Sequence, residues 1–218
     1  MSTRAARRPA DIVREYGPFD GVPRVNGVTH DGRQVWAATG SALVAIDTAS
    51  GSTGRRIAQE GCDAGTAFDG RHFWQVTEQR IDKIDAASGH VLGSIPAPGG
   101  GASGLAWAEG SLWVGQYRER RIHQVDPATG AVLRTIESDR FVTGVTWVDG
   151  ELWHAVWEGD ESELRHVDPA DGAVLERLEM PAGTGISGLE SDGAGLFYCG
   201  GGGSGKVRAV RRPRKAAA

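Results

Sequence analysis

The chain has little of the residues that build the commonest metal, redox and nucleophilic sites. Only two of its 218 residues are cysteines, Cys62 and Cys199, and its six histidines are scattered over the sequence. It contains no Cys-x-x-Cys or His-x-x-x-His spacing, no Gly-x-Ser-x-Gly sequence and no phosphate-binding loop leading into a helix. These absences argue against a zinc site, a serine hydrolase and a P-loop nucleotide-binding protein.

Long apolar runs and a strong charge of one sign are also missing. No stretch approaches the roughly 20 apolar residues that cross a bilayer, and no apolar segment follows the basic start of the chain as it does in a signal peptide. The formal net charge of -4 is mild and argues against a dedicated nucleic-acid binder. We expect a soluble, cytoplasmic protein that binds neither nucleic acid nor membrane.

The chain is rich in glycine, with 33 residues, and these glycines follow a sequence repeat. The segment Val142–Pro181 contains four short β-type runs separated by an Asp-Gly turn, a polar loop and an Asp-Pro-Ala-Asp-Gly turn. The first run of each copy carries a doublet that ends in glycine. The doublets are Asn26-Gly27, Ala64-Gly65, Ser103-Gly104, Thr143-Gly144 and Ser187-Gly188. By subtraction, their glycines lie 38, 39, 40 and 44 residues apart.

This period predicts an all-β fold, a β-propeller of five four-stranded antiparallel blades. The fifth copy ends after its third strand, Val207–Val210, whereas Asp11–Tyr16 has the pattern of a fourth strand. Pairing these two segments would close the ring and remove an open sheet edge. The chain is thus predicted to be one domain over 1–218 and a monomer. The blades are expected at about 22–60, 61–98, 99–139, 140–182 and 183–210, with a closing strand at 11–17 and flexible basic tails at 1–10 and 211–218.

Residues that break a repeat column are the candidates for function. Asp63 replaces an apolar residue two positions before its glycine, and Glu190 is the only charge two positions after. Because side chains alternate along a strand with a period of two, both columns are expected on the same side of the first strand. A carboxylate near the axis needs a partner or an altered pKa, so each is a site candidate; a structural acid is the competing interpretation.

A third column, at the top of the second strand, holds Glu78, Tyr117 and Trp157. Aromatic side chains beside an acid predict a small pocket at the channel mouth, with Asp63 or Glu78 as proton carrier. The competing interpretation is that the two rings simply cover the mouth. Further ligand-binding candidates surround this column: Asn26, Gln116, Arg118, Arg140 and Glu158.

The two cysteines are expected toward the same face, in blades 2 and 5. A nucleophile, a soft-metal site with Asp63 and a disulfide are open alternatives to a pair of buried thiols, so Cys62 and Cys199 join the ligand-binding candidates. No metal ligands are assigned and the cofactor stays unknown. The acidic loop Glu158–Glu163 leaves a divalent cation as an alternative.

The repeat resembles two propeller families. A typical copy has a glycine, then an Asp-Gly pair, then a tryptophan, and later a turn such as Asp126-Pro-Ala-Thr-Gly130. This order is similar to that of the five-bladed glutaminyl-peptide cyclotransferases and, more distantly, to that of the virginiamycin B lyases. Trp147–Trp153 and Val156-Trp157 resemble the cyclotransferase segment most closely. This resemblance implies attack of an N-terminal glutamine's amine on its own side-chain amide, with a carboxylate moving protons in an aromatic pocket.

The catalytic motifs of the cyclotransferases are not retained. Of the family's functional positions, Trp157 matches as it stands. The family's Gln-Gly, Glu, Phe-Gly-Glu-Gly and Asn-Glu correspond here to Asn26-Gly27, Ala37, Cys62-Asp63-Ala64-Gly65 and Thr143-Gly144. The lyases' His and Glu pair at a Mg²⁺ site has no clear counterpart.

Three hypotheses for function follow. The first is a propeller that binds a small molecule or peptide in a top-face pocket, with or without acid/base catalysis. The second is a glutaminyl-peptide cyclotransferase with relocated acids. The third is a non-catalytic protein-interaction propeller, and fold alone does not choose among them.

Overall fold

The structure, a computed structural model, describes residues 5–99 and 101–213, and none of these residues is helical. That part of the chain therefore contains no helix able to span a bilayer. Twenty-one strands form five sheets. Blade 1 consists of β3 (Gly27–His30), β4 (Val35–Ala38), β5 (Gly40–Ile46) and β6 (Thr53–Cys62). Blade 2 consists of β7 (Thr66–Phe68), β8 (His72–Thr77), β9 (Arg80–Asp85) and β10 (Val91–Pro96).

The remaining three blades repeat this order. Blade 3 consists of β11 (Ala102–Ala108), β12 (Ser111–Gln116), β13 (Arg121–Val125) and β14 (Val132–Glu137). Blade 4 consists of β15 (Val142–Val148), β16 (Glu151–Glu158), β17 (Glu161–Val167) and β18 (Val174–Glu179), with β1 (Ala6–Pro9) at its edge. Blade 5 consists of β19 (Gly188–Ser191), β20 (Leu196–Gly200), β21 (Val207–Arg211) and β2 (Ile12–Tyr16). The predicted five-bladed propeller is confirmed.

In blades 3 and 4 the acidic-glycine pairs make the tight turns between first and second strands. Asp149 and Gly150 have φ of 52° and 77°, and Glu109 and Gly110 have 49° and 77°. Positive φ at both central residues is the requirement of the type I′ hairpin turn, whose twist matches that of the flanking strands. The turn sequence therefore explains why the chain reverses there.

The ring closes as the sequence predicts. The N-terminal strand β2 pairs antiparallel with β21, with Ile12 opposite Val210 and Tyr16 opposite Val207. The sheet order β19-β20-β21-β2 makes β2 the outer strand of blade 5. The last blade is thus completed by the first part of the chain.

The expectation of flexible tails needs a correction. Residues Ala6–Pro9 form β1, which adds a fifth strand to blade 4 by pairing in parallel with β18. At the other end, Arg212 is 9% exposed and its guanidinium contacts Asp149 and Glu151. Backbone hydrogen bonds and ion pairs therefore hold both segments against the blades. The outer parts of the expected tails, 1–4 and 214–218, lie outside the described residues.

The apolar core lies between the blades. Five clusters of buried side chains each join two neighbouring blades; for example, Trp36 and Leu43 of blade 1 meet Phe73 and Ile84 of blade 2. Blade sheets are apolar on both faces because each face packs against another sheet. The closed ring is therefore what buries these side chains.

At the axis, the doublet glycines bring neighbouring backbones into direct contact. A Cβ added at Gly104 would lie 2.8 Å from the carbonyl carbon of Gly144, and one added at Gly144 would lie 2.5 Å from the amide nitrogen of Leu189. A Cβ at Gly188 would in turn lie 2.9 Å from the Cα of Gly27. The five doublet glycines, which include Gly65 of blade 2, lie side by side around the axis. We call them the glycine ring. It narrows the channel until no volume remains for a water molecule.

The glycine ring can be tested with a single methyl group. We expect Gly104→Ala to destabilise the protein by about 3 kcal/mol, since backbone atoms of blade 4 cannot move away from the new Cβ without disturbing the ring. Gly93→Ala is the matched control, because an added Cβ there meets no atom within 4 Å. Urea unfolding of both variants checks this; equal midpoints would contradict a tight ring.

Candidate ligand-binding site

A cavity of about 250 Å³ opens at the channel mouth, on the top face where each blade's last strand connects to the next blade. Its residues come from blades 2 to 5 and are brought together by closure of the ring. The lining residues are Asp63, Ala64, Gly101, Ala102, Ser103, Tyr117, Thr143, Trp157, Ile186 and Ser187. We call this cavity the mouth pocket.

The floor of the mouth pocket consists of the small residues that precede the doublet glycines. The single proton of the Ser103 hydroxyl is shared between the carbonyl oxygens of Val142 at 2.6 Å and Gly115 at 3.1 Å. The Ser187 hydroxyl donates to the carbonyl of Val25 and accepts the backbone N–H of Gly202 at 2.9 Å. Because each hydroxyl has one proton, the two serine oxygens can serve the pocket only as acceptors, and that of Ser187 has one lone pair left.

Thr143 differs from these serines. Its residue is 5% exposed, and its hydroxyl has no hydrogen-bond partner among the described residues. A buried polar group without a partner is destabilising by about 1–3 kcal/mol. The Thr143 oxygen is itself covered, so a ligand in the pocket would reach it only after a rotation of the side chain.

Two aromatic side chains form the walls. The Trp157 indole donates a hydrogen bond to the carbonyl of Gly159 at 2.9 Å, and its ring packs on Gly185, where an added Cβ would lie 2.9 Å away. The Tyr117 ring stacks on Phe141 with centroids 4.7 Å apart. Both walls are therefore held in place before any ligand binds.

Glu158 and Arg140 lie beside this wall, and neither lines the pocket. A Glu158 oxygen accepts the backbone N–H of Phe141 at 3.1 Å, and the carboxylate pairs with Arg120 at 3.4 Å and Arg140 at 3.8 Å. Arg140 also pairs with Glu161 at 3.1 Å. These predicted ligand-binding residues fix the loop behind Tyr117, which makes them supports of the wall.

The two predicted acids of blade 2 are separated. Asp63 is exposed and lines the mouth pocket, as predicted. Glu78 is exposed on the turn between β8 and β9, with φ of 50°, and does not line the pocket. Asp63 is thus the one carboxylate among the lining residues.

Three other predicted ligand-binding residues also lie outside the lining. The Gln116 amide donates to the carbonyl of Pro98 at 2.7 Å, and its oxygen lies 2.8 Å from His123 Nε2. Arg118 is exposed. The Asn26 amide nitrogen is buried without a hydrogen-bond partner among the described residues.

Glu190 lies apart from Asp63, below the glycine ring. Its carboxylate accepts hydrogen bonds from Thr29 Oγ1 at 2.9 Å and Thr146 Oγ1 at 2.5 Å, so it joins blade 5 to blades 1 and 4. The alternation that was expected to put both columns on one side does not reach Asp63, because this residue lies in the loop between β6 and β7, whereas Glu190 lies within β19.

Burial raises the pKa of the Glu190 carboxyl to about 7 and outweighs the opposite effect of its hydrogen bonds, which include the backbone N–H of Ser191 at 2.8 Å. The carboxyl is therefore neutral in a substantial fraction of molecules near neutral pH. Its role in the structure is to join three blades at the axis.

The cysteines are not brought together. Cys62 belongs to the apolar cluster between blades 1 and 2, and Cys199 to the cluster between blades 4 and 5. Both are free and buried, and burial raises the pKa of the Cys199 thiol to about 12. A thiol with such a pKa is protonated at neutral pH and is a poor nucleophile and metal ligand. The disulfide alternative is therefore wrong.

Within residues 5–99 and 101–213, no group of three or more His, Cys, Asp or Glu side chains is arranged to hold a metal ion. The mouth pocket is lined by one carboxylate and no histidine or cysteine. Its lining can accept hydrogen bonds, attract a cation and cover an apolar group.

One column in the third strands, buried in all five blades and polar in four of them, was not among the predicted site residues. It reads Val44, Asp82, His123, Arg165 and Arg208. Arg165 is fully buried between blades 3 and 4, where it contacts Glu163 at 2.8 Å and Asp139. The break in the repeat was visible in the sequence, but the partners that neutralise these side chains come from other strands.

Comparison with known proteins supports the fold. No protein-family model and no curated protein matches the sequence. Glutaminyl cyclase from Myxococcus xanthus superposes with a TM-score of 0.80 at 18% identity, over 95% of this chain and 98% of that chain. The WD40 β-propeller domain of Doa1 gives 0.57 at 18% identity, over 87% of this chain and 64% of that one. Hydrazine synthase from Kuenenia stuttgartiensis gives 0.52 at 15%, over 83% and 57%.

These likenesses establish a propeller that resembles a glutaminyl cyclase in fold. At such low sequence identities, the likenesses show only the fold of the backbone. The chemistry has to be argued from the residues of the site. The roles predicted for the site residues stay predictions.

The raised pKa of Glu190 predicts a pH-dependent stability. Because the folded-state pKa of about 7 exceeds the ordinary value of 4.5, the folded protein holds the proton more tightly, and stability falls as pH rises from about 4.5 through 7. The loss is up to about 3 kcal/mol. Urea unfolding of wild type and Glu190→Gln between pH 5 and pH 8 measures it.

We expect this decline to be reduced in Glu190→Gln, whose amide does not titrate. Glu119→Gln, a change at an exposed residue, is the control and should keep the wild-type profile. A Glu190→Gln profile as steep as that of wild type would contradict the assignment.

Proposed function

We propose that the protein binds the amine-bearing end of a small molecule or peptide in the mouth pocket. The observation that carries this proposal is the polarity of the lining. Asp63 supplies a negative charge, and no basic residue is among the lining residues. The Ser103 and Ser187 hydroxyls have given their protons to backbone carbonyls.

A lining made of acceptors favours a ligand that donates. An ammonium group has three N–H donors and a positive charge, and therefore complements a carboxylate and hydroxyl oxygens. Tyr117 and Trp157 would cover the apolar part of the ligand and exclude water from the ion pair. After a rotation of its side chain, Thr143 would gain the hydrogen-bond partner that it lacks.

The size of the pocket limits what enters it. A cavity of about 250 Å³ is below the usual range of roughly 300–1,000 Å³ for drug-sized ligands. Below the pocket, the glycine ring closes the channel. The proposed ligand therefore inserts one terminal group or residue, and the rest of it stays on the top face.

A pair of dipeptide amides tests the proposal. We expect Gly-Phe-amide to bind in a titration calorimeter and its N-acetyl form to bind at least tenfold more weakly, since acetylation removes the charge. Asp63→Asn should weaken binding of the free amine about tenfold, or about 1.4 kcal/mol. Glu78→Gln, which alters an acid outside the pocket, is the matched control and should bind like wild type.

Thr143→Val adds a second, independent readout. Since the hydroxyl has no partner in the free protein, its replacement by a methyl group should leave stability unchanged or raise it. Affinity for the amine should nevertheless fall. Equal affinities of the free and acetylated dipeptides would contradict the proposal and favour the protein-interaction propeller.

A second candidate is cyclisation of an N-terminal glutamine, which is favoured by the TM-score of 0.80 to a glutaminyl cyclase over almost the whole chain. In this reaction the α-amine nitrogen forms a bond to the side-chain amide carbon, and ammonia leaves with the proton that the amine gives up. Asp63 would accept and return that proton. Trp157 would cover the ring that forms.

The reaction has a direct assay. Incubation of Gln-Phe-amide with the protein should release one ammonia per peptide, and Asp63→Asn should slow the release at least a hundredfold. Heat-denatured protein gives the uncatalysed rate. Binding of Gly-Phe-amide without ammonia release from Gln-Phe-amide would leave the amine-binding proposal standing and eliminate the cyclase.

A further inference from the structure

A second cavity, of about 390 Å³, lies where the two ends of the chain meet, away from the mouth pocket. Its residues come from β1, β18, the segment before β2 and the segment after β21. They are Arg8, Pro9, Asp11, Leu178, Arg211, Arg212 and Pro213. We call this cavity the seam pocket.

Ring closure assembles the seam pocket. Parallel pairing of β1 with β18 places Arg8 opposite Leu178, and the backbone N–H of Arg211 donates to the carbonyl of Asp11 at 2.8 Å. Arginines that are about 200 residues apart in sequence thereby line one cavity. The sequence analysis identified these ends as basic, but assigned them to tails.

Carboxylates orient two of the guanidinium groups through their Nε atoms. Arg8 Nε lies 2.7 Å from Glu176, and Arg211 Nε donates to Asp11 at 2.8 Å. The Nη groups of these two arginines have no hydrogen-bond acceptor among residues 5–99 and 101–213. Their Nη donors remain available to a ligand.

The third guanidinium, that of Arg212, is bound through its Nη atoms instead of its Nε atom. Arg212 gives its Nη1 to Asp149 at 2.6 Å and its Nη2 to Glu151 at 3.1 Å, while its Nε is buried without an acceptor in the described part of the chain. Arg212 is only 9% exposed, so this unused donor is a buried polar group in a cavity lining. The Nε atom itself is covered by the protein, so an acceptor atom of a ligand would reach it only after a shift of the side chain, and Arg212 contributes mainly its charge to the cavity.

We propose that the seam pocket binds a phosphate-type oxyanion. The lining residues carry three positive charges and, on Asp11, one negative charge, and Glu176, Asp149 and Glu151 pair with Arg8 and Arg212 from outside the lining. Hydrogen-bond donors, more than net charge, therefore favour this ligand: the several acceptor oxygens of a phosphate group match the guanidinium donors supplied by β1 and by the end of β21. The source is either free phosphate or a small phosphate ester, since the cavity has room beyond one phosphate group.

Such a ligand would also stabilise ring closure. It would contact β1 on blade 4 and the end of β21 in blade 5, and these two segments come together only in the closed ring. A ligand that binds only the folded protein raises its melting temperature, and the stabilisation grows with the logarithm of 1 + [L]/Kd. The melting temperature is thus a readout of binding.

The test is a titration of the full chain with inorganic phosphate, phosphoserine and AMP, by calorimetry and by thermal unfolding at constant ionic strength. We expect saturable binding and a rise in melting temperature that chloride does not reproduce. Tighter binding of phosphoserine or AMP than of phosphate would identify an ester as the source, and equal binding would identify phosphate itself.

The variants Arg8→Gln and Arg211→Gln should each weaken binding at least tenfold, and the double variant should abolish the thermal shift. Both side chains are largely exposed, so the variants should fold, which their melting temperatures without ligand will show. Arg134→Gln, at an exposed arginine on β14, is the matched control.

Three results would overturn the proposal. One is wild-type affinity for phosphate in the double variant. Another is a thermal shift equal to that of chloride, which would mean an adventitious ion only. A third is binding of a single-stranded oligonucleotide that is far tighter than that of AMP and depends on the same arginines, which would indicate a nucleic-acid surface.

Discussion

Direct contact between glycine backbones around the axis is the constraint on which the rest of this structure depends. A single methyl group at Gly104 or Gly144 would overlap backbone atoms of the next blade. Such contacts let five sheets converge, and the convergence buries their apolar faces against one another. The same contacts close the channel, so that a ligand can enter only from one end or the other.

The glycine ring also explains where the candidate chemistry lies. The doublets of blades 2 to 5 place a small residue before each glycine. The floor of the mouth pocket is formed by these residues, Ala64, Ser103, Thr143 and Ser187. On the other side of the ring, Glu190 meets Thr29 and Thr146 from the two neighbouring blades. One carboxylate is therefore available to a ligand, and the other is bonded within the protein. Charge alone does not distinguish Asp63 from Glu190, but position relative to the ring does.

Polar residues have different physical meanings in different columns of the repeat. Arg165 belongs to a third-strand column that is polar in four of the five blades, and its charge is balanced by Glu163 and Asp139 within the packed interface. Removal of one member of such a group leaves a buried charge without its partner and is strongly destabilising. Asp63 is exposed and lines a cavity. Only a polar residue of this second kind is free to serve a ligand.

The ends of the chain do more than close the ring. The strand β2 completes blade 5. The strand β1, which precedes β2 in the chain, pairs with the outer strand of blade 4 and covers its edge. An exposed sheet edge invites pairing with other chains, so this cover protects the edge. It also brings basic residues from both ends into the seam pocket, which no single repeat contains.

The sequence by itself determined the fold, because the propeller is a local unit written five times. The acidic-glycine turns, the alternating strands and the period near 40 residues all repeat within each copy, and the missing fourth strand of blade 5 has its match at Ile12–Tyr16. Short-range patterns of this kind can be recognised in the sequence without knowledge of the contacts between distant residues. They also predicted that Asp63, Tyr117 and Trp157 share the channel mouth.

Only the tertiary structure decided which polar groups are used and which are free. Whether Thr143 has a hydrogen-bond partner, whether Gln116 bonds to His123, and whether β1 lies on blade 4 depend on residues from other strands and blades. Strand alternation did not decide the position of Asp63 relative to Glu190, because Asp63 lies in the loop between β6 and β7. Hydrogen bonds and ion pairs act over a few ångströms between residues far apart in the chain, so a single sequence does not contain their geometry.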